Sequence, residues 1–151
     1  MNNFKYTMMH DLYERIRSML IGKGAGSMAA VIYKKKHIYS IGYSSSIEHL
    51  CYSDKKYHVP STHAEMDAIR RVINDYVRIH KRKLTANIMI VRYISTCYYA
   101  ISKPCIDCLK FMQINKKYVT IRNVTYGNNE GLVTEKLCDL ETHHVSRGWR
   151  R

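Results

Sequence analysis

The sequence predicts a single domain of the α/β class, built on a mixed, mostly parallel sheet of five strands. Its 151 residues (1–151) correspond to one domain and are enough to bury a core. Short apolar runs with strand character alternate along the chain with segments whose apolar residues recur at helical spacing. Such alternation is typical of βαβ units, in which the strands run parallel and helices cover both faces of the sheet.

Three elements are predicted in the first third of the chain. Apolar residues at helical spacing predict a helix over residues 8–21, and the three glycines within residues 22–26 end it. A nearly continuous apolar run over residues 28–33 predicts a strand that is buried on both faces. Three lysines at positions 34–36 indicate a solvated turn, so residues 37–43 are predicted to form the second strand of a hairpin.

The rest of the chain is predicted to alternate between helix and strand. A polar stretch over residues 44–60 indicates a loop, and helix starts are indicated at Thr62 and near Pro104. Three further strands are predicted over residues 87–94, 118–126 and 132–137. Residues 138–151 are predicted to be a basic C-terminal tail of the same domain.

Composition and charge exclude several classes of protein. Hydrophobic residues make up 46% of the chain, which excludes a collagen-like or wholly disordered protein. No apolar run is long enough to span a membrane, and the N-terminal segment is too polar for a signal peptide. We therefore expect a cytoplasmic protein whose five cysteines are thiols or metal ligands. The net charge of +13 favours acidic ligands such as nucleotides, although it also fits a merely soluble basic protein.

Two short segments carry residue types that bind a transition metal. The first is the triplet H-A-E with His63 and Glu65, and the second is P-C-x-x-C with Cys105 and Cys108. Each also has a purely structural interpretation. Thr62 and Glu65 fit a helix capping box, and two cysteines three apart fit the apolar face of a helix. Together the segments offer one imidazole and two thiolates, a ligand set for a catalytic zinc ion whose fourth position stays open.

Helical geometry predicts how these side chains meet. Cys105 and Cys108 fall in the first turn after Pro104, where they face the same way and the helix dipole favours thiolates. Glu65 begins the buried stripe of the helix that follows His63, and this stripe comprises residues 65, 68, 69, 72, 73, 76 and 77. A buried carboxylate needs a partner. A zinc-activated water is one, since Glu65 can take its proton and return it to a leaving group.

The pattern H-x-E followed by P-C-x-x-C is a signature of zinc-dependent nucleobase deaminases. The sequence resembles the cytidine deaminase-like superfamily in these motifs and in the order of its elements from about residue 8 to 137. The resemblance implies a three-layer α/β/α sandwich, with His63, Cys105 and Cys108 as zinc ligands and Glu65 as proton shuttle. It also implies attack of water at C4 of a cytosine-type ring with loss of ammonia, and a homo-oligomer.

The sequence departs from the familiar branches of this superfamily where the substrate is held. Residues 44–46 are serines, whereas cytidine and deoxycytidylate deaminases usually carry an asparagine there that holds the sugar. Asp67 stands where deoxycytidylate deaminases tend to have another asparagine, and Lys103 replaces the glutamate of the tRNA-adenosine type. The reaction type follows from the resemblance, but the choice of base and of nucleoside, nucleotide or polynucleotide stays open.

Three functions are therefore weighed. The first is zinc-dependent hydrolytic deamination of a cytosine nucleoside or nucleotide, of the cytidine or dCMP type. The second is base editing in RNA or single-stranded DNA, and the third is a non-catalytic zinc protein that binds nucleic acid. Glu65 argues against the third function because a structural zinc site does not need it. A chain of 151 residues leaves little room for a separate nucleic-acid module, which favours the small-molecule substrate.

Candidate substrate contacts are assigned around the expected metal site. Tyr98 and Tyr99 are candidates for stacking on a base, Lys103 and Arg147 for contacting a phosphate, and Ser44 for contacting the substrate. The alternative for each is an ordinary loop or tail residue. A second, structural zinc is a further hypothesis, and its ligands would be His49, Cys51 and His58.

Overall fold

A computed structural model of the chain describes residues 3–44 and 63–142. Its principal elements are α1 (Asn3–Ile21), β1 (Met28–Lys34), β2 (His37–Tyr43), α2 (Ala64–Val72), α3 (Arg78–His80), β3 (Leu84–Arg92), α4 (Ile106–Ile114), β4 (Val119–Gly127) and β5 (Leu132–Lys136). A π-helical turn, Ile73–Val77, joins α2 to α3, and a 3-10 turn, Leu137–Asp139, follows β5. All five predicted strands are present, and β3 differs most from its prediction because it begins three residues earlier.

The strands form one mixed sheet in the order β2-β1-β3-β4-β5. Among these strands only β3 and β4 are parallel, and the other three neighbouring pairs are antiparallel. The prediction of a mostly parallel sheet is therefore wrong. The physical reason is the first hairpin, which places β2 at the edge of the sheet. The chain then crosses over through α2, and β3 pairs with the free side of β1 in the direction opposite to β1. Among the described elements, only β3, α4 and β4 form a βαβ unit whose two strands are neighbours, because β1 lies between β2 and β3.

Alternate residues of β1 belong to two different core clusters. Ala30 and Ile32 pack with residues of α2 and α4, whereas Ala29 and Val31 pack with residues of α1. Because successive side chains of a strand point to opposite faces, α1 lies against one face of the sheet and α2 and α4 lie against the other. This double cover explains why β1 is a nearly continuous apolar run.

Close packing of α2 on β2 depends on Gly42. A Cβ atom at this position would overlap the backbone of Ala64 and Ala68. Beside it, Ser40 Oγ donates a 2.8 Å hydrogen bond to the carbonyl oxygen of Ala68. The carboxylate of Asp67 accepts a 2.9 Å bond from the backbone N–H at the end of β2. These contacts fix the first turn of α2 against the sheet.

We expect Gly42→Ala to lower the free energy of unfolding by about 3 kcal/mol, because the obstructing atoms are backbone and cannot turn aside. Gly22→Ala is the matched control, since nothing lies within 4 Å of a Cβ atom built there. Denaturation with urea measures both variants. A loss for Gly42→Ala that matches the control within about 0.5 kcal/mol would contradict this account of the packing.

The described part of the chain bears on two further expectations from the sequence. It contains no helix that is both long and apolar enough to cross a membrane. Its four cysteines, at positions 97, 105, 108 and 138, are free and form no disulfide. This agrees with the prediction of thiols or metal ligands.

Candidate metal centre and active site

The two sequence motifs lie at the N-termini of α2 and α4. His63 is the N-cap residue of α2 and Cys105 is the N-cap residue of α4, and neither side chain makes a capping hydrogen bond. Cys108 lies in the first turn of α4. Glu65 is the second residue of α2 rather than the third, so it does not hold the position that a capping box requires. The proposed capping partner, Thr62, lies outside the described residues.

The three candidate ligand atoms converge between these helix ends. Nδ1 of His63 lies 3.0 Å from Sγ of Cys108 and 3.5 Å from Sγ of Cys105. All three atoms lie within 4.8 Å of one another. A tetrahedral zinc ion, with Zn–N of about 2.0 Å and Zn–S of about 2.3 Å, places nitrogen and sulfur ligands about 3.5 Å apart. The residues therefore fit a zinc ion, and three protein ligands leave a fourth coordination position open.

The candidate centre is buried in an apolar setting. Cys105 and Cys108 are 4% and 0% exposed, and they form a small core cluster with Met66, against which Phe111 packs. Burial protects these two thiols from oxidants, because oxidation of cysteine depends on its exposure. The apolar surroundings also strengthen the electrostatic interactions of any charge held at the centre.

The protonation of the ligands depends on their contacts with one another. A hydrogen bond from Cys108 lowers the pKa of the Cys105 thiol to about 4. The same pairing, together with burial, raises the pKa of Cys108. The contact with Cys105 raises the pKa of His63, and burial opposes this effect. The protonation states of the three groups thus depend on one another, and binding of a metal ion would release the protons that they carry.

Glu65 adds a proton-handling group to the centre. Its side chain is 4% exposed, and burial raises the pKa of its carboxyl group. A hydrogen bond with Cys108 and the charge of His63 act in the opposite direction. A carboxyl group whose pKa is raised above its usual range is better suited to give back a proton that it has accepted.

Ser102 fixes the segment that leads to Cys105. Its side chain is 2% exposed. Its Oγ donates a 2.9 Å hydrogen bond to the carbonyl oxygen of Ile90 and accepts a 2.9 Å bond from the N–H of Gly127. Ile90 lies in β3 and Gly127 ends β4, so one hydroxyl ties the loop to the carboxyl ends of both parallel strands. Ser102 therefore positions the N-terminus of α4.

We expect Ser102→Ala to lower the free energy of unfolding by about 2 kcal/mol, because a buried N–H and a buried carbonyl lose their partner. This loss corresponds to a fall in Tm of about 5 °C, which calorimetry measures. Ser27→Ala is the matched control, since the Ser27 hydroxyl also donates to backbone carbonyls, those of Gly24 and Leu20, but lies in a turn that is only partly buried. Equal Tm values for the two variants would show that Ser102 does not have this positioning role.

Two of the predicted substrate contacts lie beside the strands and loops that surround the centre. Ser44 follows β2, where its Oγ accepts a 3.1 Å hydrogen bond from the N–H of Met28. Lys103 lies two residues before Cys105, and its Nζ is 5.9 Å from the centroid of the Tyr126 ring. Their roles in substrate binding stay predictions.

The structure places the two predicted stacking tyrosines against α1. Both rings contact the ring of Tyr13, with centroids 5.7 Å away for Tyr98 and 5.4 Å away for Tyr99. The Tyr99 hydroxyl lies 3.1 Å from Nδ1 of His10, and the Arg17 guanidinium lies 4.6 Å from the Tyr98 ring centroid. These contacts serve packing on the α1 face, whereas α2 and α4 carry the metal ligands on the other. Stacking on a base stays a prediction for both tyrosines, of which Tyr98 is 40% exposed and Tyr99 is partly buried.

Four further predicted residues lie outside the described part of the chain. Arg147 is in the C-terminal segment, and the ligands of the hypothetical second zinc, His49, Cys51 and His58, are in the segment between β2 and α2. Both hypotheses stay predictions.

Sequence reasoning missed the residues that hold the two ligand-bearing helices in place. Gly42 could have been found, because a glycine inside a strand often marks a close approach of backbone. Ser102 left no such signal, since its partners are backbone groups that only the fold brings together.

The fold and the site define an α/β protein with an open His-Cys-Cys metal centre beside a buried carboxylate. The profile of the family described as the cytidine and deoxycytidylate deaminase zinc-binding region matches residues 2–127, more than four-fifths of the chain. The chain belongs to this family. A comparison with curated proteins finds no match. The family and the donor set together identify zinc as the metal that the site fits and indicate a zinc hydrolase.

Proposed function

We propose that the protein deaminates the cytosine base of a nucleoside or nucleotide, of the cytidine or dCMP type, to the uracil form with release of ammonia. The observation that carries this proposal is the convergence of His63, Cys105 and Cys108 beside the buried Glu65. A purely structural zinc site has no use for a carboxylate there. Membership of the deaminase family supports the same reaction class.

The chain's own residues would divide the work as follows. His63 and the two cysteines hold the ion, and zinc when bound supplies a Lewis acid that makes water nucleophilic at neutral pH. Glu65 takes a proton from the attacking water, whose oxygen forms a bond to C4 of the ring, and delivers that proton to the amino group at C4. The second proton of the water ends on N3 of the ring. The C4–N bond breaks, ammonia leaves, and a carbonyl group remains at that carbon. The buried setting of Glu65 suits it to both proton transfers.

The substrate is proposed to be small. Lys103, next to the second motif, is the proposed contact for a single phosphate, and Arg147 of the C-terminal segment is the second candidate. The helices on both faces of the sheet support the three-layer arrangement that the resemblance implies. A homo-oligomer is part of the same proposal, because related enzymes often complete their pocket across subunits.

Ammonia release from a panel of substrates tests this proposal. The panel contains cytidine, deoxycytidine, CMP, dCMP and adenosine, with a short cytosine-containing single strand. We expect the zinc-loaded protein to turn over at least one free cytosine compound. Turnover of the single strand alone would favour base editing, and turnover of adenosine alone would reassign the base. A folded, zinc-loaded protein that releases no ammonia from any of them would favour the non-catalytic function.

A further inference from the structure

A groove on the α1 face of the sheet lies apart from the metal centre. Its volume is about 540 Å³, and its lining includes the start of β3, the middle of β4 and the turn of the first hairpin. The metal ligands lie at the other face, on α2 and α4. No residue of the metal centre lines this groove, so its chemistry is independent of the proposed deamination.

Polar and charged side chains line the groove together with two methionines and a tyrosine, and apolar atoms supply most of its lining surface. Further along β3, Met89 and Val91 pack under α1 in the core, but Asn87 on the same face lines the groove instead. Asn123 Nδ2 donates a 3.1 Å hydrogen bond to Oδ1 of Asn87. Among the residues whose side chains are described, 8–44 and 63–142, nothing accepts a hydrogen bond from the amide nitrogen of Asn87. A ligand with acceptor oxygens would satisfy this donor.

The charges around the groove have one sign. Lys34, Lys35 and Arg122 line it, and no described lining residue is acidic. The single ion pair among the described residues joins Arg71 to Asp67 on α2, so no described carboxylate neutralises these three cations. Unpaired cations around a concave surface create a positive potential that concentrates anions there.

We propose that this groove, lined by Lys34, Lys35, Asn87 and Arg122 and called the basic groove below, binds the phosphate groups of an anionic ligand. Lysine and arginine are the side chains that bind phosphate, and an amide N–H adds a directed hydrogen bond. The volume is within the range of small-ligand sites. A neighbouring cavity of about 270 Å³ shares Lys35 and is also lined by Arg15, Lys36 and the acidic Asp11.

The test uses two probes whose phosphates come from different sources. Inorganic tripolyphosphate represents a free small ligand, and a fluorescein-labelled single strand of 12 nucleotides represents a phosphodiester chain. Calorimetric titration measures the first probe and fluorescence anisotropy measures the second, both with the zinc-loaded protein. Binding of tripolyphosphate alone assigns a small polyphosphate ligand to the basic groove, and preferred binding of the strand assigns a polynucleotide.

Charge reversal distinguishes the basic groove from general attraction to a protein of net charge +13. The double variant Lys34→Glu/Arg122→Glu is expected to weaken binding of the preferred probe at least tenfold. The matched control, Arg78→Glu/Lys110→Glu, changes the net charge equally at exposed positions of α3 and α4. It should weaken binding less than threefold. Circular dichroism is used to check that both variants fold.

The salt dependence of strand binding adds a quantitative criterion. With three phosphate contacts, a plot of log affinity against log salt concentration should have a slope of about −2 for the wild type. The groove variant lacks two of these contacts, so its slope should be less steep by about 1.4. Two results would overturn the proposal. One is that the wild type binds neither probe, and the other is that the control variant loses as much affinity as the groove variant.

Discussion

Glu65→Gln is expected to retain zinc and fold while losing deaminase activity by a factor of at least ~10², the usual scale of a general acid–base contribution. Glutamine keeps the size of the side chain and its buried place in the first turn of α2. Its amide cannot take a proton from water and return it to the leaving amine. Zinc content per chain and kcat, measured on the same preparation, separate the chemical defect from a structural one.

Asp67→Asn is the matched control for this experiment. It removes a second acid from the same turn of α2, and an asparagine carbonyl can still accept the hydrogen bond from the end of β2. We expect kcat to stay within about threefold of the wild type, because Asp67 handles no proton in the reaction. A Glu65→Gln variant with nearly normal turnover would show that Glu65 serves only the structure.

Replacing Cys105 or Cys108 by serine is expected to abolish both zinc binding and activity. A serine hydroxyl has a far higher pKa than a thiol and is a poor ligand for zinc, which prefers sulfur and nitrogen donors. Both positions are buried, so water cannot readily replace the missing ligand. Metal analysis after dialysis, together with ammonia release, measures the loss.

Two cysteines outside the centre provide controls for serine substitution. Cys97 is partly exposed and Cys138 is exposed, and neither belongs to the group of converging ligands. Cys97→Ser and Cys138→Ser should each keep one zinc per chain and wild-type turnover. A Cys105→Ser variant that keeps stoichiometric zinc and full activity would end the assignment of this residue as a ligand.

The sequence predicted the candidate site best where metal-binding residues recur at the spacing that places them on one face of a helix. The histidine of the first motif and the two cysteines of the second predicted a set of metal ligands, and the structure brings their ligand atoms within 4.8 Å of one another. A glutamate at the head of an apolar stripe predicted a buried carboxylate, and Glu65 is buried. Such residues are identifiable because their types are unusual at buried positions. The apolar run of β1 and the lysine turn that follows it likewise predicted β1 and β2 within one residue of their observed ends.

Strand direction could not be predicted in the same way. Apolar periodicity shows that β3 follows α2, but it does not show on which side of β1 the chain returns. That choice depends on β2 occupying the sheet edge and on the close approach of α2 at Gly42. The role of Ser102 is also invisible in the sequence, because its partners, Ile90 and Gly127, are backbone groups that the parallel pairing of β3 and β4 brings together.

X-ray absorption at the zinc edge is the most direct measurement of the central claim, that His63, Cys105 and Cys108 hold zinc with one position open to solvent and substrate. The account predicts one nitrogen at about 2.0 Å, two sulfurs at about 2.3 Å and one further light atom. It also predicts that the light-atom distance changes when a cytosine nucleotide is added. A coordination shell of four protein ligands with no open position, or no zinc above background, would contradict it.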